Sequence, residues 1–274
     1  MEMQFESQSF GKRLKSMLKV DFRRMFTMPL LYIMAGVCIV IPVLILVMTT
    51  LMDGSVSVNP QTGEETVIEG FDNTWQIIGT VSGEGIGMSG ETAGMAMDMT
   101  SMCNINLLYF FVAVLVSLFV ADDFRSGYAK NLFTVRAKKA DYVISKSLVC
   151  FVGGALMILG FFVGALLGGV ISGLSFDPGI AGVSGVILCL LAKMLLVAVF
   201  VPIYLLMSVI GKQKLWLSLV GSVMISMLFF MMIPMLAPLN ASIRNVGLCL
   251  AGGVLFSAGF GVISNQILRK TSLV

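Results

Sequence analysis

Apolar residues run through this chain in six long blocks, and almost all of the charge is collected in the stretches between them. The blocks are approximately Leu30–Leu51, Ile105–Ala121, Leu148–Leu174, Leu190–Ile210, Leu215–Leu236 and Val246–Leu268. A helix of roughly 20 apolar residues crosses the ~30 Å of bilayer hydrocarbon, and each block approaches that length. None shows the every-second-residue alternation of a barrel strand, and backbone groups in lipid must pair internally. The pattern therefore predicts an all-α integral membrane protein with six transmembrane helices. Pro42, Pro202 and Pro234 fall within or near the ends of blocks, where kinks are tolerated.

Ahead of the first block the period changes. Phe10, Leu14, Met17, Leu18 and Met25 recur at steps of three and four, with Lys12, Arg13, Lys15, Lys19 and Arg23 filling the remainder. This predicts an amphipathic helix within residues 1–29, lying in the membrane interface and followed by one transmembrane domain over residues 30–274. Anchoring against anionic lipid is the simpler role for such a helix, and contact with a soluble partner the sharper one. A secretory signal peptide is the rival reading. Its basic region and apolar core would both be too long, and no small-residue cleavage site follows Leu51, so the first span is expected to be retained.

Composition agrees with lipid as the solvent: 57% of residues are hydrophobic, 12% are charged, and the mean hydropathy is +0.97. The position of the charges says more than their sum. Sixteen of the eighteen Lys and Arg lie in the N-terminal segment, the loop after the second block, the turn after the fourth (Lys212, Lys214) and the tail (Arg269, Lys270). The alternate segments hold only Arg244 of the basic residues, together with nine acids. The positive-inside rule places the basic side, and with it both termini, in the cytoplasm.

The outer segment 52–104 lacks Lys and Arg, is rich in Gly, and carries Met88, Met95, Met97, Met99 and Met102. Thioethers bind copper(I), but no His or Cys cluster supports a metal site, and an adaptable apolar loop is the simpler reading. Poor order is expected there, with a short helix near Phe71–Ile78. The five cysteines are scattered, four of them inside apolar runs, which argues against a disulfide framework.

Several function classes lose ground. The chain has no histidine, which removes imidazole catalysis and histidine proton relays. No Asp or Glu lies within a block, whereas ion-driven transporters bury carboxylates near the midplane. The charged residue inside a block is Lys193, three residues from the outer end of the fourth, and it is expected to snorkel to the outer headgroups. A P-loop is absent, because the Gly211-Lys212 pair has neither the upstream glycine nor the following hydroxyl residue. Small residues mark helix packing: Gly160, Gly164 and Gly168 at every fourth position in the third block, and Gly253, Ser257 and Gly261 in the sixth.

The loop over residues 122–147 is the most informative segment. With its flanks it reads ADDFRSGYAKNLFTVRAKKADYVISKSL. Phe124, Tyr128, Leu132 and Phe133 would share one side of a short helix and Arg125 and Lys130 another, an apolar plug with a charged rim for a soluble partner.

Here the sequence resembles the membrane subunit of type-two ABC exporters. In that family an interfacial helix precedes six spans. The loop between the second and third spans carries an acid, then a glycine, then basic residues, then a lysine. Asp123, Gly127, Lys130, Arg136 and Lys146 occupy the matching places. The resemblance implies that residues 122–147 hold a coupling helix seated in an ABC-type ATPase subunit, with Asp123, Phe124, Arg125, Gly127, Tyr128, Lys130, Leu132 and Phe133 as its coupling residues. It also implies that the partner ATPase binds ATP and Mg, that this chain carries no cofactor or catalytic site, and that a second permease copy or a sister subunit completes the membrane part. The long outer segment and the short Ala237–Asn245 segment depart from the family's usual form. Within the family the compact layout looks most like exporters of bacterial peptides, including phenol-soluble modulins, and relatives that confer immunity to peptide antibiotics. A peptide cargo, a bacterial plasma membrane location and no nucleic-acid partner follow from that resemblance. A membrane peptide-immunity or receptor protein without transport stays open, as does a metal channel using the outer methionines.

Overall fold

The computed structural model describes residues 10–58, 65–67, 70–81, 104–135, 138–212, 214–230 and 232–270. Helix α1 spans Phe10–Thr27 and α2 spans Pro29–Met52. They are separate because Met28 precedes a proline and adopts the extended conformation (φ −78°, ψ 120°) that such a position favours, and Pro29 then opens α2 where its missing N–H costs nothing. A short antiparallel ribbon follows, β1 (Val56–Val58) with β2 (Glu65–Val67), paired Val56 to Val67. After it come a 3₁₀ turn at Thr74–Ile77, another at Ile105–Leu107, and the helices α3 (Leu108–Arg125) and α4 (Tyr128–Val135). The chain closes with α5 (Lys139–Ser172), α6 (Gly182–Gly211), α7 (Leu215–Phe230), α8 (Ile233–Leu236) and α9 (Ile243–Lys270).

Among the described residues, five helical segments are long and apolar enough to cross a membrane: Pro29–Met52, Ile105–Arg125, Lys139–Ser172, Gly179–Gly211 and Ile243–Lys270. The chain is a helical multi-pass membrane protein. The predicted span over Leu215–Leu236 is broken in two. Pro234 has no N–H to give Phe230 and its ring crowds that carbonyl, so α7, described over Leu215–Phe230, has given way to a turn by Met232 and a new helix begins at Ile233. Its 16 residues rise about 24 Å, short of the ~30 Å core, and the turn of α8 continues the path.

Two small-residue stripes bring helices close. An added Cβ at Gly164 would lie 2.2 Å from the Ile39 carbonyl oxygen, and one at Gly168 would lie 2.9 Å from Val43 Cα, so α5 meets the backbone of α2 along this line. Gly160 faces Ile39 and Ala35 in the same row. On α9, Gly253 approaches Ala198 of α6, and Ser257 Oγ donates to the Ala198 carbonyl at 3.3 Å. The third junction is polar. Ser218, Ser222 and Ser226 recur every fourth residue along α7 and are all buried. Ser208 Oγ lies 2.7 Å from Ser218 Oγ, Tyr204 Oη lies 2.6 Å from Ser226 Oγ, and Ser117 donates to Ser222 at 3.3 Å. Hydroxyl pairing of this kind holds helices together where apolar burial provides no net drive between them.

At one end of the bundle the segment 70–81 crosses over the helices. Thr74 N donates to the Ser175 carbonyl at 3.0 Å, Trp75 Nε1 to the Phe176 carbonyl at 2.9 Å, and Leu239 N to the Thr80 carbonyl at 2.9 Å. The Trp75 ring stacks on Phe162 and meets Phe176 edge-on. The expected helix near Phe71–Ile78 is this 3₁₀ turn, capped by the Asn73 side chain accepting from Trp75 N. Met88, Met95, Met97, Met99 and Met102 lie outside the described residues, as does Arg136.

Candidate functional site: a buried charge cluster at the basic end

At the opposite end, α1, α3 and α5 bring four charges together inside the protein. On α1, Asp21 shares one stripe with Met17 and Met25 at four-residue steps, and that stripe is the buried face of the helix. Asp123 sits in the last turn of α3, and Lys146 two turns into α5. Asp21, Asp123 and Lys146 have no solvent exposure. Lys146 Nζ lies 2.9 Å from Asp21 Oδ1 and 2.7 Å from Asp123 Oδ2, so one ammonium bridges the two carboxylates. Arg24 reaches in from α1 to Asp123 Oδ1 at 2.5 Å and to the exposed Asp122 at 3.3 Å.

Neutral donors complete the set. Tyr142 Oη donates to Asp123 Oδ2 at 2.8 Å and Ser145 Oγ to Asp21 Oδ2 at 2.6 Å. The Phe119 ring lies 3.9 Å from Lys146 Nζ, adding a cation–π contact in a desolvated place. Two buried acids and two bases balance, which is the condition under which such a group is tolerated inside a protein. Burial by itself would lower the pKa of Arg24, and the Asp123 carboxylate together with Tyr128 and Asp21 outweighs it, leaving the guanidinium above its ordinary value. Farther along α1, Arg13 Nε pairs with the buried Asp141 at 3.0 Å.

The cluster reaches the loop between α3 and α4 through Tyr128. The Arg24 guanidinium carbon stands 4.1 Å from the Tyr128 ring centroid, and burial pushes the Tyr128 phenol above its ordinary pKa. Gly127 makes the corner with φ 73°, a left-handed conformation that a side chain would strain, while the space around it is open. The structure places the loop residues differently from one apolar face turned to a partner. Phe124 belongs to α3 and is buried, Phe133 lies edge-on to Tyr142, and Leu132 packs on the core. The cause is the Gly127 corner, which takes Phe124 out of the helical register of Tyr128–Val135. Asp122, Arg125, Ser126, Lys130, Asn131 and Thr134 are the exposed residues along this stretch.

Asp21 and Arg24 were not singled out from sequence. A signal was present: an acid on the apolar stripe of a basic amphipathic helix has to find a cation within the bundle.

Lys193 forms a second buried polar point. It is fully buried rather than reaching the headgroups, and its Nζ donates to Asn106 Oδ1 at 2.7 Å. Tyr109 Oη donates to the Lys193 backbone carbonyl at 2.8 Å. The helix begins at Gly182 rather than near Leu190, which sets Lys193 about 16 Å along α6 and beyond easy reach of the interface. Asn106→Leu should destabilise the protein by about 1–3 kcal/mol by leaving the amine without its acceptor. Adding Lys193→Met should recover most of that loss in detergent unfolding curves; additive losses would show that the pair is not coupled.

The four described cysteines are buried and free, and no group of three or more His, Cys, Asp or Glu side chains able to hold a metal occurs among the described residues. Compared with known proteins, the chain matches no family model, no curated protein and no solved structure.

Proposed function

We propose that this chain is the membrane subunit of an ATP-driven exporter in a bacterial plasma membrane. In this reading α7 and α8 supply a sixth crossing, both termini and the charge cluster face the cytoplasm, and two copies, or one copy and a sister, stand over two ATPase subunits. The cargo is an amphipathic peptide, for which a chain rich in Met, Phe and Leu offers adaptable, unselective contact. The observation that carries the reading is the seat of α4. It is a short amphipathic helix joining two spans at the basic end, its apolar side is fixed on the bundle, and its first residue stacks on an arginine of the cluster. A push on α4 therefore passes through Tyr128 and Arg24 to Asp123 and Lys146, and so to α1, α3 and α5 together.

Lys130, Asn131 and Thr134, with Arg125 at the corner, form the rim offered to the ATPase. Lys130→Glu reverses a rim charge and should weaken association with the partner ATPase subunit about tenfold, with ATPase stimulation falling in step. Gly127→Ala should uncouple hydrolysis from transport with little loss of association. Wild-type stimulation in both variants would remove this loop from the mechanism. Peptide binding with no ATPase partner would favour a receptor or immunity protein instead.

A further inference from the structure

A cavity of about 620 Å³ lies between α5, α6 and α9, on the far side of α5 from the α2 junction. We propose that it binds one anionic membrane lipid whose headgroup carries a free hydroxyl, of the phosphatidylglycerol kind. This inference does not depend on the exporter reading.

The walls are apolar. Ser147, Ser257 and Asn265 are the polar side chains among the lining residues, and Ser257 is already bonded to Ala198. A site for a water-soluble ligand would present more polar groups than this. Along α9 the lining runs from Leu250 to Asn265, about 22 Å, which exceeds the ~15 Å hydrocarbon depth of one leaflet. The volume falls within the range of small-ligand pockets and suits an acyl chain.

The two ends of the cavity are unlike. Ala140 and Asn265 mark one of them, and there the helix ends bring basic residues together. Lys139 Nζ donates to the Leu268 carbonyl at 2.5 Å, tying α5 to α9 at that end. Arg269 follows Asn265 by four residues and so shares its face of α9, with Lys270 beside it. Both are exposed, and neither forms an ion pair among the described residues. An acid in the headgroup answers this charge, whereas a cationic amphipathic peptide is repelled by it. The amide oxygen of Asn265 is buried without a hydrogen-bond partner. A headgroup hydroxyl supplies the donor once the amide turns toward the cavity, and a choline headgroup has none to give.

The test is native mass spectrometry of the full chain, delipidated and then exposed in detergent to phosphatidylglycerol, phosphatidic acid or phosphatidylcholine. The wild type should retain one phosphatidylglycerol under conditions that strip phosphatidylcholine. Ala258→Phe fills the cavity from a wall position and should lower that retention at least tenfold. Gly261→Leu should do the same, since a Cβ there meets Val143 at an ordinary 3.8 Å and strains no backbone. Asn265→Leu should weaken retention of phosphatidylglycerol more than that of phosphatidic acid, and Arg269→Gln should weaken both. Melting in lipid-free detergent checks that each variant is folded. Undiminished phosphatidylglycerol retention in folded cavity-filling variants, equal retention of phosphatidylcholine by the wild type, or displacement of the lipid by a cationic amphipathic peptide would each overturn the assignment.

Discussion

Lys146→Met should lower the unfolding free energy by about 3–5 kcal/mol, the cost of leaving a buried charge without its partner. The ammonium is the shared cation of Asp21 and Asp123, and all three groups are sealed from solvent. Without it Asp21 keeps only the Ser145 hydroxyl among its hydrogen-bond and ion-pair partners, and Asp123 depends on Arg24 and Tyr142. Methionine matches the lysine stem in length, so little of the loss would come from packing. The double variant Asp21→Asn with Lys146→Met restores charge balance and should be more stable than the single one, since a buried ion pair removed whole costs less than one broken in half. Unfolding by denaturing detergent in mixed micelles, for the two single variants and the double, gives the coupling directly. A Lys146→Met protein as stable as the wild type would show that the cluster does not hold α1 to the bundle.

Gly164→Leu should be nearly as damaging, costing about 1–3 kcal/mol or more and separating α2 from α5. The first carbon of any side chain at this position would run into the Ile39 carbonyl and the Pro42 ring, which are backbone and a rigid ring rather than flexible side-chain ends. Leucine can be placed only if α2 moves, and the Gly160 and Gly168 contacts would open with it. Gly259→Leu on α9 is the matched control, because an added Cβ there meets nothing within 4 Å. It should melt at or above the wild-type temperature, since a leucine in a helix is favoured over glycine. Equal stability of the two variants would mean that the α2–α5 approach does not depend on the glycine row.

Much of this layout could be read from particular residues. The amphipathic helix α1 was visible in the spacing of Met17 and Met25, and a close-packing face of α5, though not its partner α2, in the glycines at 160, 164 and 168. The break at Pro234 was also present in the chain, although a hydropathy sum over Leu215–Leu236 conceals it, because proline costs a helix its geometry rather than its apolarity. Lys193 was misplaced because a hydrophobic block does not mark the start of its helix. Gly182 and Val183 already belong to α6, and the added turns carry the lysine inward. The apolar face of α4 was evident, but whether it faces a partner or its own bundle depends on a single backbone torsion at Gly127.

By itself the sequence determined which segments are apolar enough to leave water and that the charge gathers between them, because transfer into lipid is a sum over each segment's own side chains. What only the tertiary structure decided is partnership. Asp21 meets Ser145 across 124 residues, and Lys193 meets Asn106 across 87. A buried charge is stable only if its counterpart arrives within about 3 Å, and that distance belongs to the packing of helices rather than to either residue's place in the chain.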